Sequence, residues 1–105
     1  MIDDATITKA VELLRRAAPG ATVILFGSHA RGTAHDDSDL DFLVVEPELR
    51  ARRAEMVRLR DALRPLHVPA DLLVVSQRSF EEWADVPGTV LYEAAREGRI
   101  FESAA

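Results

Sequence analysis

Apolar and polar positions along this chain first show a helical period. Between residues 5 and 18, Ile7, Val11 and Leu14 recur at intervals of three or four, which predicts an amphipathic helix. The pattern stops at Pro19, which disfavours a continued helix. The N-terminal part of the chain is therefore expected to pack one side of a helix against a core.

Three segments predict strands: the continuous apolar run at 21–26, which is typical of a buried strand, and the stretches 39–45 and 70–75, which become apolar after their aspartates. Because these segments alternate with helical patterns, the expected fold class is α/β or α+β, with helices packed on a small sheet. The other predicted elements are a helical turn at 29–32, a polar loop at 33–38, a helix over 47–63 that begins at Pro47, helices over 78–85 and 88–97, a cap at Gly98 and a short edge strand at 100–101.

The size and charge of the chain limit the functions to consider. Its 105 residues predict one domain over residues 1–105. The formal net charge of -5 argues against direct nucleic-acid binding, which needs a basic surface to neutralise phosphates. The absence of cysteine excludes disulfides and thiolate zinc sites, and no apolar run is long enough to span a membrane. We therefore expect a cytoplasmic protein that does not act at a membrane.

Asp39 and Asp41 form the first candidate site. On a strand, side chains two residues apart point to the same face, so these carboxylates are expected to lie several ångströms apart. Their mutual repulsion beside an apolar strand is relieved by a divalent cation, and hard oxygen ligands are those that Mg²⁺ prefers. Asp71 opens another predicted strand and joins the cluster if the two strands are neighbours. Solvated aspartates at a loop edge are the alternative interpretation of each residue alone.

Gly27 and Ser28 form the second candidate site, directly after a buried strand. A turn there leaves backbone N–H groups pointing outward, which suits phosphate oxygens. The Ser28 hydroxyl adds a donor, the absence of a side chain at Gly27 lets a phosphate approach, and Arg31 could add positive charge. An ordinary strand-to-helix turn is the alternative. The spaced glycines and the Gly-Lys-Ser/Thr ending of a Walker loop are absent.

The combined pattern resembles the DNA polymerase β-like nucleotidyltransferase superfamily. That pattern is a Gly-Ser pair, about ten residues, an Asp-x-Asp and a third acidic residue on a later strand. Gly27-Ser28-His29-Ala30-Arg31-Gly32 followed by Ser38-Asp39-Leu40-Asp41 is similar to its small prokaryotic branch, the minimal nucleotidyltransferases. The ending Glu93-Ala94-Ala95-Arg96-Glu97-Gly98-Arg99-Ile100-Phe101 is also similar but less specific. The resemblance implies the polymerase β-like fold, a small mixed sheet with helices packed on it.

The resemblance also implies a role for each matched position. Gly27 and Ser28 would hold the triphosphate of a nucleotide such as ATP. Asp39 and Asp41 would bind two Mg²⁺ ions, and Asp71 would complete one metal site and help to activate the acceptor hydroxyl. Paired metals lower the pKa of the attacking hydroxyl and stabilise charge at the phosphorus.

The acceptor of the nucleotide is expected on another polypeptide, because the chain is too short for a separate substrate-binding domain. Stand-alone proteins that resemble this one act as antitoxins, which inactivate a HEPN-family ribonuclease toxin by moving AMP from ATP onto a toxin tyrosine. The resemblance thus implies a hetero-oligomer with such a toxin. Two alternatives are a non-catalytic antitoxin that masks its toxin by contact and the catalytic subunit of a split small-molecule nucleotidyltransferase.

Several other residues have weaker claims to function. The three histidines, His29, His35 and His67, have no useful ligand spacing. Trp83 and Tyr92 are expected to anchor a core or an interface. A run of arginines gives one helix a basic surface, either a solvated face with pairs such as Glu48–Arg52 or a docking surface for an acidic partner; these are Arg50, Arg52, Arg53, Arg58, Arg60 and Arg64.

Overall fold

A computed structural model describes residues 2–101 of the chain. In chain order its elements are α1 (Asp4–Ala17), β1 (Thr22–Phe26), α2 (Ser28–Arg31), β2 (Leu40–Glu46), α3 (Arg52–Leu63), β3 (Ala70–Ser76), α4 (Gln77–Trp83), α5 (Val90–Glu97) and β4 (Arg99–Phe101). A single 3₁₀ turn, Arg64–Leu66, extends α3. Among these residues, no helix is both long enough and apolar enough to cross a membrane.

The four strands form one mixed sheet, as expected, in the order β3-β2-β1-β4. β1 pairs antiparallel with β2 and with β4, whereas β2 and β3 run parallel. A parallel pair needs a connection that returns along the whole sheet, and α3 provides it. β2 and β3, which carry Asp41 and Asp71 near their starts, are therefore direct neighbours.

Both faces of the sheet are covered by helices. On one face α1 and α3 bury alternate strand residues, among them Leu25, Phe42 and Val74. On the other face the complementary residues, such as Ile24 and Leu43, pack with Leu91 and Ala94 of α5 and with Phe80 of α4. This double covering explains why the strands are continuous apolar runs in the sequence.

The first helix follows its sequence pattern closely. Asp3 caps it by accepting a hydrogen bond of 2.9 Å from the Thr6 backbone N–H, which satisfies a donor that the helix itself cannot pair. Ile7, Val11 and Leu14 all lie on its buried side. The predicted helix over 5–18 is confirmed to within one residue at each end.

The third helix begins later than predicted. The expectation of a helix from Pro47 is wrong, because α3 starts at Arg52. The residue before a proline favours an extended backbone, and Glu46 accordingly stays in β2. Residues 47–51 then lead to the face that α1 covers, where the partly buried Leu49 packs against the core. No side chain caps α3 at Ala51, so the sequence contains no signal for the true start.

The last two helices have caps that the sequence pattern understated. Ser76 and Thr89 accept hydrogen bonds from the backbone N–H groups of Ser79 and Tyr92, so α5 begins at Val90 rather than at residue 88. Gly98 ends α5 as expected, with an extended backbone. A Cβ added at Gly98 would overlap the Ala94 carbonyl and the Ile24 side chain, so close packing requires glycine there.

Candidate active site

The sheet brings the three candidate aspartates to one end and to one face. Asp41 of β2 is the register partner of Asp71 of β3. Leu40 and Phe42 belong to the core on the α1 side, so Asp41, which lies between them, faces the α5 side. Asp39 precedes β2 and shares that face by the same alternation. The condition that the sequence left open, that the two aspartate-bearing strands are neighbours, is therefore met.

The electrostatic environment of Asp41 is unfavourable to its charge. Partial burial raises the pKa of the Asp41 carboxyl above its ordinary value, and the negative charges of Asp71 and Asp39 raise it further. The positive charges of His29 and Arg31 act in the opposite direction but do not outweigh these effects. Three carboxylates thus share a region in which the chain leaves their repulsion largely uncompensated.

The turn after β1 is held directly against Asp41. Phe26, the last residue of β1, is the register partner of Asp41. The next residue, Gly27, has φ +76°, a conformation that residues with side chains rarely adopt. A Cβ added at Gly27 would overlap the Asp41 carboxylate, whose Cγ lies 3.1 Å from that position. Glycine is therefore required by the backbone and by the close approach of the carboxylate.

Ser28 opens the short helix α2 beside this contact. The Gly27 carbonyl accepts hydrogen bonds of 3.1 Å from the backbone N–H groups of both Ala30 and Arg31. The first amides of a helix have no partner inside it. The half-buried Ser28 begins α2 directly after Gly27. The structure thus brings the Gly-Ser turn, through Gly27, against Asp41 of the Asp-x-Asp about ten residues later.

Arg31 has a partner that the sequence did not indicate. Its guanidinium lies 3.5 Å from Glu97 Oε2 at the end of α5, and both side chains are about half exposed. The expectation that Arg31 adds positive charge for a phosphate remains a prediction, since the guanidinium is engaged with a carboxylate here. The pairing depends on α5 folding back beside α2, which no local pattern encodes.

His29 contributes a contact that the sequence reasoning missed. Its Nε2 lies 3.3 Å from the Ser38 carbonyl, so that in the matching tautomer the ring donates a hydrogen bond to the residue before Asp39. The intervening loop is ordered by two further bonds, from the His35 N–H to Ser38 Oγ (2.9 Å) and from the Ser38 N–H to the His35 carbonyl (3.0 Å). His29 therefore ties the Gly-Ser turn to the entry of β2.

The three aspartates offer the oxygen ligands that a hard cation prefers, but their side chains do not form a complete coordination group in this structure. Within residues 2–101, no three His, Asp or Glu side chains are arranged as a group that could hold a metal ion. Asp39 and Asp71 are exposed, so their side chains have room to turn toward Asp41. Oxygen ligands whose charges repel one another are the donors that Mg²⁺ stabilises.

The arginine-rich segment lies apart from these aspartates. Two of its arginines pair within α3, Arg58 with Glu55 and Arg64 with Asp61, at 2.7 and 2.8 Å. The predicted Glu48–Arg52 pair is not among the ion pairs of the described residues, because Glu48 lies outside the shortened helix.

The two aromatic residues that the sequence singled out have different environments. Tyr92 is half-buried with the Arg96 guanidinium 4.7 Å from its ring centre, whereas Trp83 is 49% exposed. Trp83 is therefore not a core residue.

Comparison with known proteins gives one family match and several structural ones. Residues 7–102 match the family described as "Nucleotidyltransferase domain". A structure of a minimal nucleotidyltransferase is 34% identical, with a TM-score of 0.61 over 90% of this chain and 88% of that one. No curated protein matches the chain.

Two toxin–antitoxin structures share the fold at lower identity. One contains AMP-PNP and is 23% identical, with a TM-score of 0.59 over 98% of this chain and 75% of that one. The other is the structure of a tri-AMPylated HEPN toxin of Shewanella oneidensis in complex with an MNT antitoxin. The matched chain of that structure is 20% identical, with a TM-score of 0.55 over 98% of this chain and 74% of that one. These two structures share the fold alone. The family match over residues 7–102 and the structure that is 34% identical show that the chain belongs to the nucleotidyltransferase domain family, as a minimal nucleotidyltransferase.

Proposed function

We propose that this protein is an antitoxin that transfers AMP from ATP to a hydroxyl, most simply a tyrosine, of a HEPN-family toxin. The observation that carries the proposal is the contact of Gly27 with Asp41, which lies in register with Asp71. This arrangement supports a role for the Gly27-Ser28 turn in binding phosphate beside the carboxylates. The fold shared with an MNT antitoxin that is in complex with an AMPylated HEPN toxin supports the choice of acceptor.

Asp39, Asp41 and Asp71 would hold the divalent metal, two Mg²⁺ ions in the full site. When bound, the metal would supply charge neutralisation at the phosphates and a lower pKa for the attacking hydroxyl. The raised pKa of Asp41 supports this assignment, because a cation relieves the burial and the repulsion that cause it.

The chain's own residues position the donor. Gly27 lets the Asp41 carboxylate lie against the turn, and Ser28 would offer its hydroxyl and the adjacent amides to a phosphate. Arg31 would exchange Glu97 for a phosphate oxygen when the triphosphate arrives, since both side chains of that ion pair are exposed enough to move.

The transfer itself is a single displacement at phosphorus. The acceptor oxygen bonds to the α-phosphorus, the bond between that phosphorus and the bridging oxygen breaks, and pyrophosphate leaves. The proton of the acceptor hydroxyl passes to Asp71, which is exposed at the start of the edge strand β3 and is therefore open to an incoming protein.

Mass spectrometry tests the proposal directly. The protein is mixed with the helical toxin encoded beside it, ATP and Mg²⁺, and the toxin is then weighed. We expect the toxin mass to rise in steps of one AMP and the rise to disappear in D39A/D41A. Asp85→Ala is the matched control, because Asp85 is exposed and lies in the turn between α4 and α5.

The alternative is an antitoxin that masks its toxin by contact alone. An unmodified toxin that D39A/D41A still neutralises would establish masking and overturn the transfer. A partner that is helical but has no toxin activity, with AMP appearing on an added small molecule, would instead indicate a split small-molecule transferase.

A further inference from the structure

A groove that runs beyond the aspartates along β3 has no role in the proposed reaction. It encloses about 490 Å³ between the end of β3, α4, α5 and the segment that leads into α3. We call it the Trp83 groove, and the residues that matter for its chemistry are Leu73, Val75, Leu91, Trp83, Arg50 and Arg52.

The apolar part of the groove is unusually open for so small a protein. Trp83, the chain's single tryptophan, is 49% exposed at the end of α4. Leu73, Val75 and Leu91 form the apolar wall beside it, and the exposed Val86 and Val90 follow Trp83 along the chain outside the groove. Half-exposed tryptophan beside other apolar surface is characteristic of the anchor points of protein interfaces.

The charged part of the groove is positive although the chain is acidic. Arg50 and Arg52 line it, and within residues 2–101 neither has an ion-pair partner, whereas Arg58, Arg64 and Arg78 are each paired with a carboxylate nearby in sequence. Two free guanidinium groups beside an indole complement a partner that has carboxylates next to an apolar side chain.

The groove begins close to Asp71 along β3. Leu73 is the next residue after Asp71 on the same face of β3, about 7 Å along the strand. The groove therefore begins one same-face residue beyond the proposed proton acceptor. A protein seated in it would extend along β3 toward Asp71.

We infer that the Trp83 groove docks an acidic segment with an apolar anchor on the protein that accepts the nucleotide. The identity of that protein rests on the proposed function, but the chemistry of the docked segment does not. Nucleic acid fits less well, because two arginines in a chain of net charge -5 neutralise too few phosphates.

Fluorescence of Trp83 tests the chemistry without any transfer reaction, since no other tryptophan contributes. The probe is a capped twelve-residue amphipathic peptide of Glu, Asp, Leu and Phe; a second peptide has Lys in place of the acids. We expect a saturable emission change with the acidic peptide and at least tenfold weaker binding of the Lys peptide. No saturable change up to millimolar acidic peptide overturns the inference.

Charge-reversal variants test the location. We expect R50E/R52E to weaken acidic-peptide binding at least tenfold. R53E/R60E is the matched control, because it makes the same charge change on exposed arginines that do not line the groove. Equal losses in both variants overturn docking at the groove, as does equally tight binding of a single-stranded DNA oligonucleotide. A concentration-dependent dimer of the protein that R50E/R52E dissociates would assign the groove to a second copy and also overturn it.

Kinetics with the toxin as acceptor separates this inference from the proposed function. We expect R50E/R52E to raise the KM for the toxin at least tenfold with kcat and ATP binding unchanged. D39A/D41A should abolish transfer and leave toxin binding intact. If the toxin binds through the groove but is not modified, the docking site stands and the transfer is overturned. If the toxin is modified and its KM is unchanged in R50E/R52E, the transfer stands and the docking site is overturned.

Discussion

β2 carries a carboxylate at each end, and the protein treats the two in opposite ways. Asp41, near its start, faces the α5 side beside Asp71. Glu46, its last residue, lies on the other face by strand alternation and lines a cavity with Glu55 and Arg58 of α3. Both ends therefore place like charges close together beside a buried core.

At the Glu46 end the chain resolves the conflict itself. Arg58 donates two hydrogen bonds of 2.7 Å to Glu55 and holds the pKa of that carboxyl well below its usual value. Burial and the neighbouring Glu55 raise the pKa of Glu46 to about 7. Glu46 Oε2 is buried without a partner, which fits a neutral carboxyl whose proton turns toward Glu55. One arginine and one proton remove the repulsion.

At the Asp41 end no such solution is present. The nearest cationic side chains include Arg31, which is paired with Glu97, and His29, which is turned toward the Ser38 carbonyl. The pKa of Asp41 stays raised despite both. A pair of neighbouring acidic residues is therefore not by itself evidence of a functional site. A pair that the chain neutralises is structural, whereas a pair left unneutralised beside a glycine turn is a place for an external cation.

The largest expected effect comes from removing the charge of Asp41. Asp41→Asn should abolish nucleotide transfer, a loss of about 10³-fold or more, because metal ligation is worth several kcal/mol in the transition state. Without metal, the same variant should melt at a higher temperature, since the repulsion is gone. Thermal melts with and without Mg²⁺ and a transfer assay measure both effects. A metal-free variant that melts below the wild type would contradict the comparison.

The contact between Gly27 and Asp41 gives the next largest effect. Gly27→Ala should destabilise the protein by about 1–3 kcal/mol through the strained backbone and should also displace the carboxylate. Transfer should fall by about 10²-fold, as for a misplaced catalytic group. Gly88→Ala is the matched control, because Gly88 has φ +88° with nothing within 4 Å of an added Cβ. If both variants lose transfer equally, the overlap with Asp41 is unimportant.

The Glu46 end should affect stability rather than transfer. A folded-state pKa raised from 4.5 to about 7 means that the folded protein loses stability as pH rises through this window. Glu46→Gln keeps a donor toward Glu55 without titrating, so its advantage should grow from pH 4.5 to 7 and then level at about 1–3 kcal/mol, or ~4–8 °C in Tm for each kcal/mol.

Melting curves of Glu46→Gln at several pH values, with the exposed Glu48→Gln as control, measure that window. Transfer by Glu46→Gln should equal that of the wild type. A pH-independent advantage would show that Glu46 is charged throughout and would remove the contrast between the two ends.

The two ends also differ in how far the sequence predicted them. Asp39, Asp41 and Gly27 are candidates that the sequence predicts, because strand periodicity and a glycine after a strand are local signals; their roles stay predictions. The Glu46–Glu55–Arg58 group has no such signal, since Glu46 lies just beyond the strand predicted at 39–45 and its contact with α3 depends on packing. The start of α3 was misplaced for a related reason: the path from β2 to the far face of the sheet depends on packing, and Ala51 gives no capping signal.

Contacts that bridge distant elements were likewise beyond the sequence. The Arg31–Glu97 pair and the His29–Ser38 bond join α2 to α5 and to the loop before β2. Neither pair has helical or strand spacing. The order of the strands in the sheet makes these residues neighbours. The sequence predicts the alternation of strands and helices but not that order.

The smallest expected effect comes from the hydrogen bond between His29 and the Ser38 carbonyl, which joins α2 to the loop before Asp39. His29→Ala removes one hydrogen bond, worth about 1 kcal/mol, and should lower kcat for transfer about fivefold. The loss should appear in kcat with little change in the KM for ATP, because the bond orients Asp39 relative to Ser28 rather than contacting the nucleotide. His29→Gln, which retains a side-chain N–H donor, should recover part of it, and amide hydrogen exchange at 36–39 should quicken only in His29→Ala. His67→Asn, at an exposed left-handed position, is the control. Equal exchange in all three variants would mean that the loop orders itself through His35 and Ser38, and the orientation of Asp39 would then be independent of α2.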